Sequence, residues 1–309
     1  MDWNSAYIQK LIASALKEDV GPGDVTVAAT IPEGARGQAR IIAKQDLICA
    51  GLPLAEKVFH ALDPRMKIEM QAADGQKIAK GQNVLHLDGR ASAILTGERT
   101  ALNFLGRLSG IATLTHLFVE QLAGTRAKIR DTRKTTPGLR LLEKYAVKMG
   151  GGTNHRIGLY DAILLKENHI ALAGGVKAAL DQAHGHASSQ MKPRSMTAYE
   201  AVGTAPSEAE ASSLPIQIEV RNETELREAL SAGAESLLLD NLSPEQARPC
   251  VEIARRIRAD CIVEISGGIT LANVRAYAET GADYLSSGAL THSAPNADFS
   301  LLVDSLQEK

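Results

Sequence analysis

Apolar residues near the start of the chain fall at Ile8, Leu11, Ile12, Ala15 and Leu16, the spacing of an amphipathic helix. Gly21-Pro22-Gly23-Asp24 then forces a turn. The runs from Gly34 to Ile48 and from Met66 to Leu87 alternate apolar with polar positions between Gly and Pro punctuation, which predicts a small sheet. From Ile94 to Leu122 the spacing is helical again, interrupted near Gly106 and Gly110, so one long helix or two consecutive ones lead out of this first region.

Beyond it, short and nearly continuous apolar runs are each followed by a polar end and then a helical pattern. That succession is the βαβ signature of a parallel sheet buried on both faces. Six strands are predicted: Ala127 to Arg130, Ala162 to Leu165, Ile216 to Val220, Ser236 to Leu239, Cys261 to Ile265 and Tyr284 to Ser286. Asn222 with Glu225, and Ser243-Pro244 with Gln246, read as capping boxes, and Gly233 and Gly281 suit helix ends. His186 to Pro215, rich in Ser, Ala, Glu and Pro, is long for a connection and reads as a surface insertion.

A length of 309 residues favours two domains over one, and 44% hydrophobic with 23% charged residues is ordinary for a globular chain. The formal net charge of -2 removes any general electrostatic case for nucleic acid, which needs a basic patch. Cys49, Cys250 and Cys261 form no C-x-x-C pair, so neither a disulfide framework nor a cysteine zinc site is expected, and a reducing cytoplasm fits. The N-terminus lacks the pattern of a signal peptide, and no apolar stretch is long enough to span a membrane.

In α/β barrels the chemistry sits at the carboxyl ends of the strands. Here those ends are Asp131-Thr132-Arg133-Lys134, Lys166-Glu167-Asn168-His169, Glu219, Asp240-Asn241, Ser266-Gly267-Gly268 and Ser287-Gly288. With Arg140, Lys144, Lys148, His155 and Arg156, the first two ends bring nine basic or imidazole groups into 37 residues. Arg140, Lys144 and Lys148, at four-residue spacing, fit a solvated helix face equally well. Arg133, Lys134 and Lys166 do not: a cation at a buried strand end needs an anion, and guanidinium forks match carboxylates and phosphates. Glu219 and Asp240 can bind Mg²⁺, hold ribose hydroxyls or pair with the lysines. The glycine turns after Ser266 and Ser287 let backbone N–H groups approach a phosphate. Gly150-Gly151-Gly152 matches no nucleotide loop and reads as a flexible turn aiming His155 and Arg156. His184 and His186 have no third ligand nearby and read as an exposed pair.

Read as motifs, D-T-R-K-T-T-P-G-L-R at 131 to 140, E-K-Y-A-V-K-M-G-G-G-T-N-H-R-I-G-L at 143 to 159 and L-L-K-E-N-H-I at 164 to 170 resemble the quinolinate phosphoribosyltransferases. G-E-R-T-A-L-N at 97 to 103, L-S-G-I-A-T at 108 to 113, E-D-V-G-P-G-D-V-T at 18 to 26, L-D-N at 239 to 241 and S-G-G-I at 266 to 269 extend the likeness across most of the chain. Ile265, where many relatives carry a small residue, and the long insertion depart from the family pattern.

The resemblance implies an open α/β barrel over 113–290 and an N-terminal α/β sandwich over 1–112, to which the C-terminal segment 291–309 adds. It implies a dimer or an assembly of dimers, with Arg99 supplied in trans. The implied reaction joins quinolinate to 5-phosphoribosyl 1-pyrophosphate with Mg²⁺, releasing pyrophosphate and carbon dioxide and giving nicotinate mononucleotide for NAD synthesis. By the same resemblance Arg133, His155, Arg156 and Arg99 clamp the two carboxylates and Thr132 adds a hydroxyl. Lys134 and Lys166 serve the carboxylate and pyrophosphate, with Lys144 a weaker addition. Glu219 and Asp240 address ribose and metal, and Ser266, Gly267, Gly268, Gly288, Ala289 and Leu290 wrap the 5-phosphate. The alternatives are a paralogue acting on another pyridine acid, a Schiff-base aldolase using Lys166, and a non-catalytic phosphosugar-binding protein.

Overall fold

The computed structural model describes residues 1–189 and 214–307, so all but the ends of the expected insertion lies outside the described residues. The chain divides into two compact units, the first comprising Met1–Leu114, Lys148–Gly151 and the segment from Ala294, the second Thr115–Val147 and Gly152–Ser293.

In the first unit the N-terminal helix α1 runs over Ala6–Val20 and buries Ile8 and Ile12. Gly21 ends it with positive φ, and Asp24 caps the short α2 (Val25–Thr30) by accepting from the N–H groups of Thr26 and Val27. Strands β1 (Arg36–Ala43), β3 (Lys67–Met70) and β5 (Asn83–Arg90) join β12 (Phe299–Gln307) in an antiparallel sheet of order β12-β1-β5-β3. Along β1 burial alternates residue by residue: Gly37, Ala39, Ile41 and Ala43 face the core, while Arg36 and Arg40 reach Asp88 and Asp304 on the other side. The two-residue strands β2 (Leu47–Ile48) and β4 (Lys77–Ile78) pair separately. Helix α3 (Leu52–Leu62), absent from the sequence expectation, starts with Pro53 in its first turn and buries Leu54, Val58 and Phe59.

The helical pattern after Ile94 is one unbroken helix, α4 (Ala91–Gln121). Its glycines are there for space, since a Cβ on Gly110 would overlap the Pro295 carbonyl and one on Gly106 would crowd that of Ala297. Gly106 O in turn accepts from Ala297 N at 2.8 Å. No described helix is long and apolar enough to cross a membrane.

The second unit holds the six expected strands, with ends shifted by at most one residue: β6 (Lys128–Arg130), β7 (Ile163–Leu165), β8 (Ile216–Val220), β9 (Ser236–Asp240), β10 (Ile262–Ser266) and β11 (Tyr284–Ser286). They form one parallel sheet of order β6-β11-β10-β9-β8-β7, the barrel-like architecture expected. Thr153 makes an isolated parallel bridge to Arg130, so the segment after the triple glycine runs beside the outer edge of β6. Between strands lie α5 (Arg140–Met149), α6 (Glu167–Ala173), α7 (Val176–Ser189), α8 (Glu223–Ser231), α9 (Pro244–Ile257), α10 (Val274–Ala278) and α11 (Ala289–His292). The Ser243/Gln246 capping box forms as expected. The other is corrected: Asn222 accepts from Glu225 N, but the Glu225 carboxylate bonds Arg221 instead of closing back on Asn222.

Candidate functional site

Inward-facing positions of the parallel sheet carry charge below the strand ends. Glu264, mid-way along β10, is fully buried. Its Oε2 accepts from Arg130 Nη1 at 2.9 Å and from Gln217 Nε2 at 3.1 Å, while its Oε1 accepts from Ser286 Oγ and faces His155 Nε2 at 3.5 Å. Burial alone would push this carboxyl up, but His155 and Arg130 beside it and the hydrogen bonds from Ser286 and Gln217 prevail and hold it below the usual range. Arg130 also lies over the Tyr284 ring, 3.3 Å from its centroid.

A second buried cluster stands where β6 ends. Asp131 and Lys144 are both fully buried, and Lys144 Nζ donates to Asp131 Oδ1 at 2.6 Å and to His155 O at 2.9 Å. Asp131 Oδ1 accepts in addition from His155 N at 2.8 Å. Burial pushes Asp131 up to about 6 despite the ammonium beside it, and lowers Lys144. The reading of Lys144 as part of a solvated face is thereby corrected: the helix turns it inward because Asp131 awaits it there. Arg140 is likewise engaged, donating to Thr135 Oγ1 at 3.0 Å and to Ile157 O at 2.9 Å.

The triple glycine is tight where a flexible turn was expected. Gly151 has φ near 88°, and a Cβ on Gly152 would meet Thr115 and Val147. It delivers Thr153, whose N–H and hydroxyl both bond Ile129 O at 2.9 Å, and then His155 and Arg156. His155 Nδ1 accepts from Arg156 N at 2.7 Å, and burial lowers the ring, with Arg130, Lys144 and Arg156 adding to that against the pull of Glu264. Arg156 Nη1 donates to Ala162 O at 2.8 Å, and its buried Nε has no hydrogen-bond partner. Burial first and the Arg133 charge second lower its guanidinium, with only Asp161 opposing. Asp161 is itself occupied, accepting from Ile157 N at 2.6 Å and Gly158 N at 2.8 Å.

Arg133 and Lys134 are exposed, and Thr132 is half-buried, its Oγ1 accepting from Lys134 N at 3.0 Å. Lys166, about half exposed, pairs through Nζ with Glu219 Oε2 at 3.0 Å, so it lacks the desolvation that activates a Schiff-base lysine. His169 accepts from Lys166 N at 3.0 Å and serves the helix start. Asp240 Oδ2 accepts from Asn241 Nδ2 at 2.6 Å. Asn241 is the one described non-glycine residue with positive φ, at 56°, and a Cβ on Gly267 would overlap its side chain. A Cβ on Gly288 would come within 2.9 Å of His292 Nε2 and 3.0 Å of Lys134 Cδ, so those two side chains flank the backbone of that turn. Leu290 is buried and offers only its main chain, with Ala289 N set against Ser287 Oγ at 3.3 Å. Ser266 and Gly267 are half-buried and Gly268 is exposed, and Arg99 is exposed on α4 in the first unit.

Glu264, Arg130 and His292 escaped the sequence reading; the only signals were a lone acid inside Ile262-Val263-Glu264-Ile265 and an arginine closing Lys128-Ile129-Arg130. Among the described residues no three His, Cys, Asp or Glu side chains converge to hold a metal by themselves. Glu219 and Asp240, on the neighbouring strands β8 and β9, remain as two oxygen donors.

Two family models match in sequence order: the quinolinate phosphoribosyl transferase N-terminal domain over residues 24–109 and the C-terminal domain over residues 111–200 and 194–302. A Bacillus subtilis protein named probable nicotinate-nucleotide pyrophosphorylase [carboxylating] is 39% identical over 300 residues, 97% of this chain and 94% of its own. Quinolinate phosphoribosyltransferase [decarboxylating] 1b of Nicotiana tabacum is 37% identical over 310 residues, 96% of this chain and 82% of its own. The solved nicotinate-nucleotide pyrophosphorylase of Francisella tularensis superposes with a TM-score of 0.84 at 36% identity, covering 96% of each chain.

Proposed function

The chain belongs to the quinolinate phosphoribosyltransferase family, and we infer from this and from its strand-end chemistry that it joins quinolinate to 5-phosphoribosyl 1-pyrophosphate. Pyrophosphate and carbon dioxide leave, and nicotinate mononucleotide is formed for NAD biosynthesis. The observation that carries this reading is Arg156, a half-buried guanidinium whose largest neighbouring charge is a second guanidinium, Arg133. Two like charges brought together in a partly desolvated place favour an anion with more than one carboxylate.

In this reading Arg133 and Arg156 supply the charge that holds the two carboxylates, His155, next to Arg156 in the chain, joins them as the neutral member, and Thr132 donates its hydroxyl. Arg99 of a second copy completes the clamp in a dimer or an assembly of dimers. Lys134 and Lys166 neutralise the charge that grows on pyrophosphate as its bond to the sugar breaks. Glu219 and Asp240 accept from the ribose hydroxyls and favour the positive charge developing on the sugar as the pyridine nitrogen approaches. Backbone N–H groups of Ser266 to Gly268 and of Gly288 to Leu290 hold the 5-phosphate. Once the ring nitrogen is positively charged, the bond from the adjacent ring carbon to its carboxylate breaks. The electron pair is accepted by the ring, and a proton then replaces the lost carbon dioxide.

Mg²⁺ fits the donor set, because this ion keeps several waters and uses one or two carboxylates together with substrate phosphates, and Glu219 and Asp240 are two such groups. When bound, it would offset phosphate charge. Three buried, unpaired cysteines accord with a reducing cytoplasm.

The test is carbon dioxide release with quinolinate or nicotinate offered separately beside 5-phosphoribosyl 1-pyrophosphate and Mg²⁺. Release with quinolinate, no turnover of nicotinate, and collapse of quinolinate turnover in Arg133→Ala and Glu219→Ala are expected. Turnover of nicotinate alone, or near-normal turnover in Arg133→Ala, refutes the assignment.

A further inference from the structure

Glu264 sits two residues before Ser266 on the same inward face of β10, fully buried, and is therefore below the strand ends where substrates enter. Its carboxylate is the single meeting point of four other stretches of chain: Arg130 from β6, Gln217 from β8, Ser286 from β11 and His155 from the segment beside β6. A fully buried carboxylate persists only where such partners replace its hydration.

The contacts of His155 give this node a direction. Its Nδ1 accepts a hydrogen bond from Arg156 N at 2.7 Å, so Nδ1 carries no proton, and the ring proton resides on Nε2, the nitrogen facing Glu264 Oε1. The main chain of His155 is fixed from the opposite side, its N–H donating to Asp131 Oδ1 at 2.8 Å and its carbonyl accepting from Lys144 Nζ at 2.9 Å. One ring thus connects Glu264 at one edge with the Arg156 main chain at the other.

We propose that Glu264 is a positioning residue for the dicarboxylate clamp: without touching substrate, it holds the His155 ring in one orientation and the Nε2–H tautomer, and through that ring fixes Arg156. The proposal rests on the reading that His155 and Arg156 face quinolinate. It separates from a simple charge effect by sign. Replacing Glu264 by neutral Gln makes the site more positive, which by Coulomb attraction alone would tighten a dianion; loss of positioning weakens it.

The experiment uses the full-length enzyme, with ¹⁵N-labelled histidine followed by long-range ¹H–¹⁵N correlation and His155 assigned from a His155→Gln sample, alongside kinetics with both substrates. The wild type should show His155 solely as the Nε2–H tautomer. Glu264→Gln should lose that pure signature and raise the KM for quinolinate about tenfold or more, the scale of loss when an outer partner of a binding side chain is removed, with the KM for 5-phosphoribosyl 1-pyrophosphate changed less than about twofold. Glu264→Asp keeps the charge but shortens the reach, and should also raise the quinolinate KM. An Nδ1–H tautomer in the wild type overturns the proposal even if neither variant folds. So does a folded Glu264→Gln enzyme whose quinolinate KM is unchanged or lower. A wild type that shows the expected tautomer but never turns over quinolinate would instead overturn the proposed function.

Discussion

Replacing Lys144 with Met tests the buried cluster on which His155 is mounted. Methionine preserves most of the side-chain volume but leaves Asp131, fully buried, without the ammonium 2.6 Å from its Oδ1. Removing one partner of a buried pair costs about 3–5 kcal/mol, a fifth or more of the stability of a typical domain. The remaining acceptances, from His155 N at 2.8 Å and from the Asn154 amide turned so that its nitrogen faces Asp131 Oδ2 at 3.1 Å, cannot replace a charge. Asp131 will respond by keeping a proton.

Burial already pushes its carboxyl up to about 6 with Lys144 present, and without Lys144 it must rise further. A folded pKa above the unfolded value of about 3.9 means the folded state binds more protons between the two, so stability falls as pH rises toward the folded pKa, at most about 1.4 kcal/mol per unit for one proton. Lys144→Met should therefore be least destabilised near pH 5 and most near pH 8. Adding Asp131→Asn removes the stranded charge, so the double variant should be more stable at pH 8 than the sum of the single losses by about 1–3 kcal/mol. Urea unfolding at one fixed protein concentration measures all of this, since assembly would otherwise shift the midpoints. A loss under about 1 kcal/mol at pH 8, equal losses at pH 5 and pH 8, or strict additivity would refute the reasoning.

Gly267→Ala should reduce turnover at least about tenfold, chiefly through the KM for 5-phosphoribosyl 1-pyrophosphate, because φ near 98° strains any L residue by about 1–3 kcal/mol and the new methyl displaces Asn241 from Asp240; unchanged kinetics would remove Asn241 from the account. Burial lowers the His155 ring below the ordinary 6.5 or so, so its neutral form contributes stability that is present above that pH and is lost as pH falls toward the folded value. His155→Asn should accordingly show a smaller drop in urea midpoint between pH 7 and pH 6 than the wild type, and an equal drop would count against it. The thiols should be nearly inert to a disulfide reagent in the folded protein and all react in denaturant, since burial pushes Cys49 up to about 12 and Cys261 to about 11 and raises Cys250; rapid labelling of the native protein would contradict this.

The strands of the second unit were legible because a strand buried on both faces has almost no polar positions to confuse its ends, and each run was closed by a polar residue at the barrel mouth. Helix α3 was not, because Gly51 and Pro53 read as turn punctuation; in the structure the proline is simply part of the first helical turn. Strand β12 pairs with β1 from the far end of the chain, Ala43 opposite Phe299, a partnership no local window contains. Gly106 and Gly110 looked like breaks in α4 but are places where another backbone comes close, a need set by tertiary packing alone.

The same division runs through the site. Side chains that leave the strand ends were visible as charge directly after apolar runs, although Arg133, Lys134 and Lys166 prove exposed where burial was expected, whereas Lys144 was hidden by its neighbours, because Arg140, Lys144 and Lys148 trace the stripe of a solvated helix and Asp131 lies 13 residues away. Glu264 and Arg130 meet only because the sheet order places β11 between β10 and β6. Once these pairs are known, the charge of the centre divides sharply. Lys144 and Arg130 are consumed by Asp131 and Glu264, and Lys166 is shared with Glu219. Arg133 and Lys134 stand exposed, and Arg156 adds a half-buried guanidinium whose largest neighbouring charge is Arg133. A protein of net charge -2 can thus present a concentrated positive site without a basic surface, because its interior acids neutralise the cations that build the frame and leave those that can face substrate.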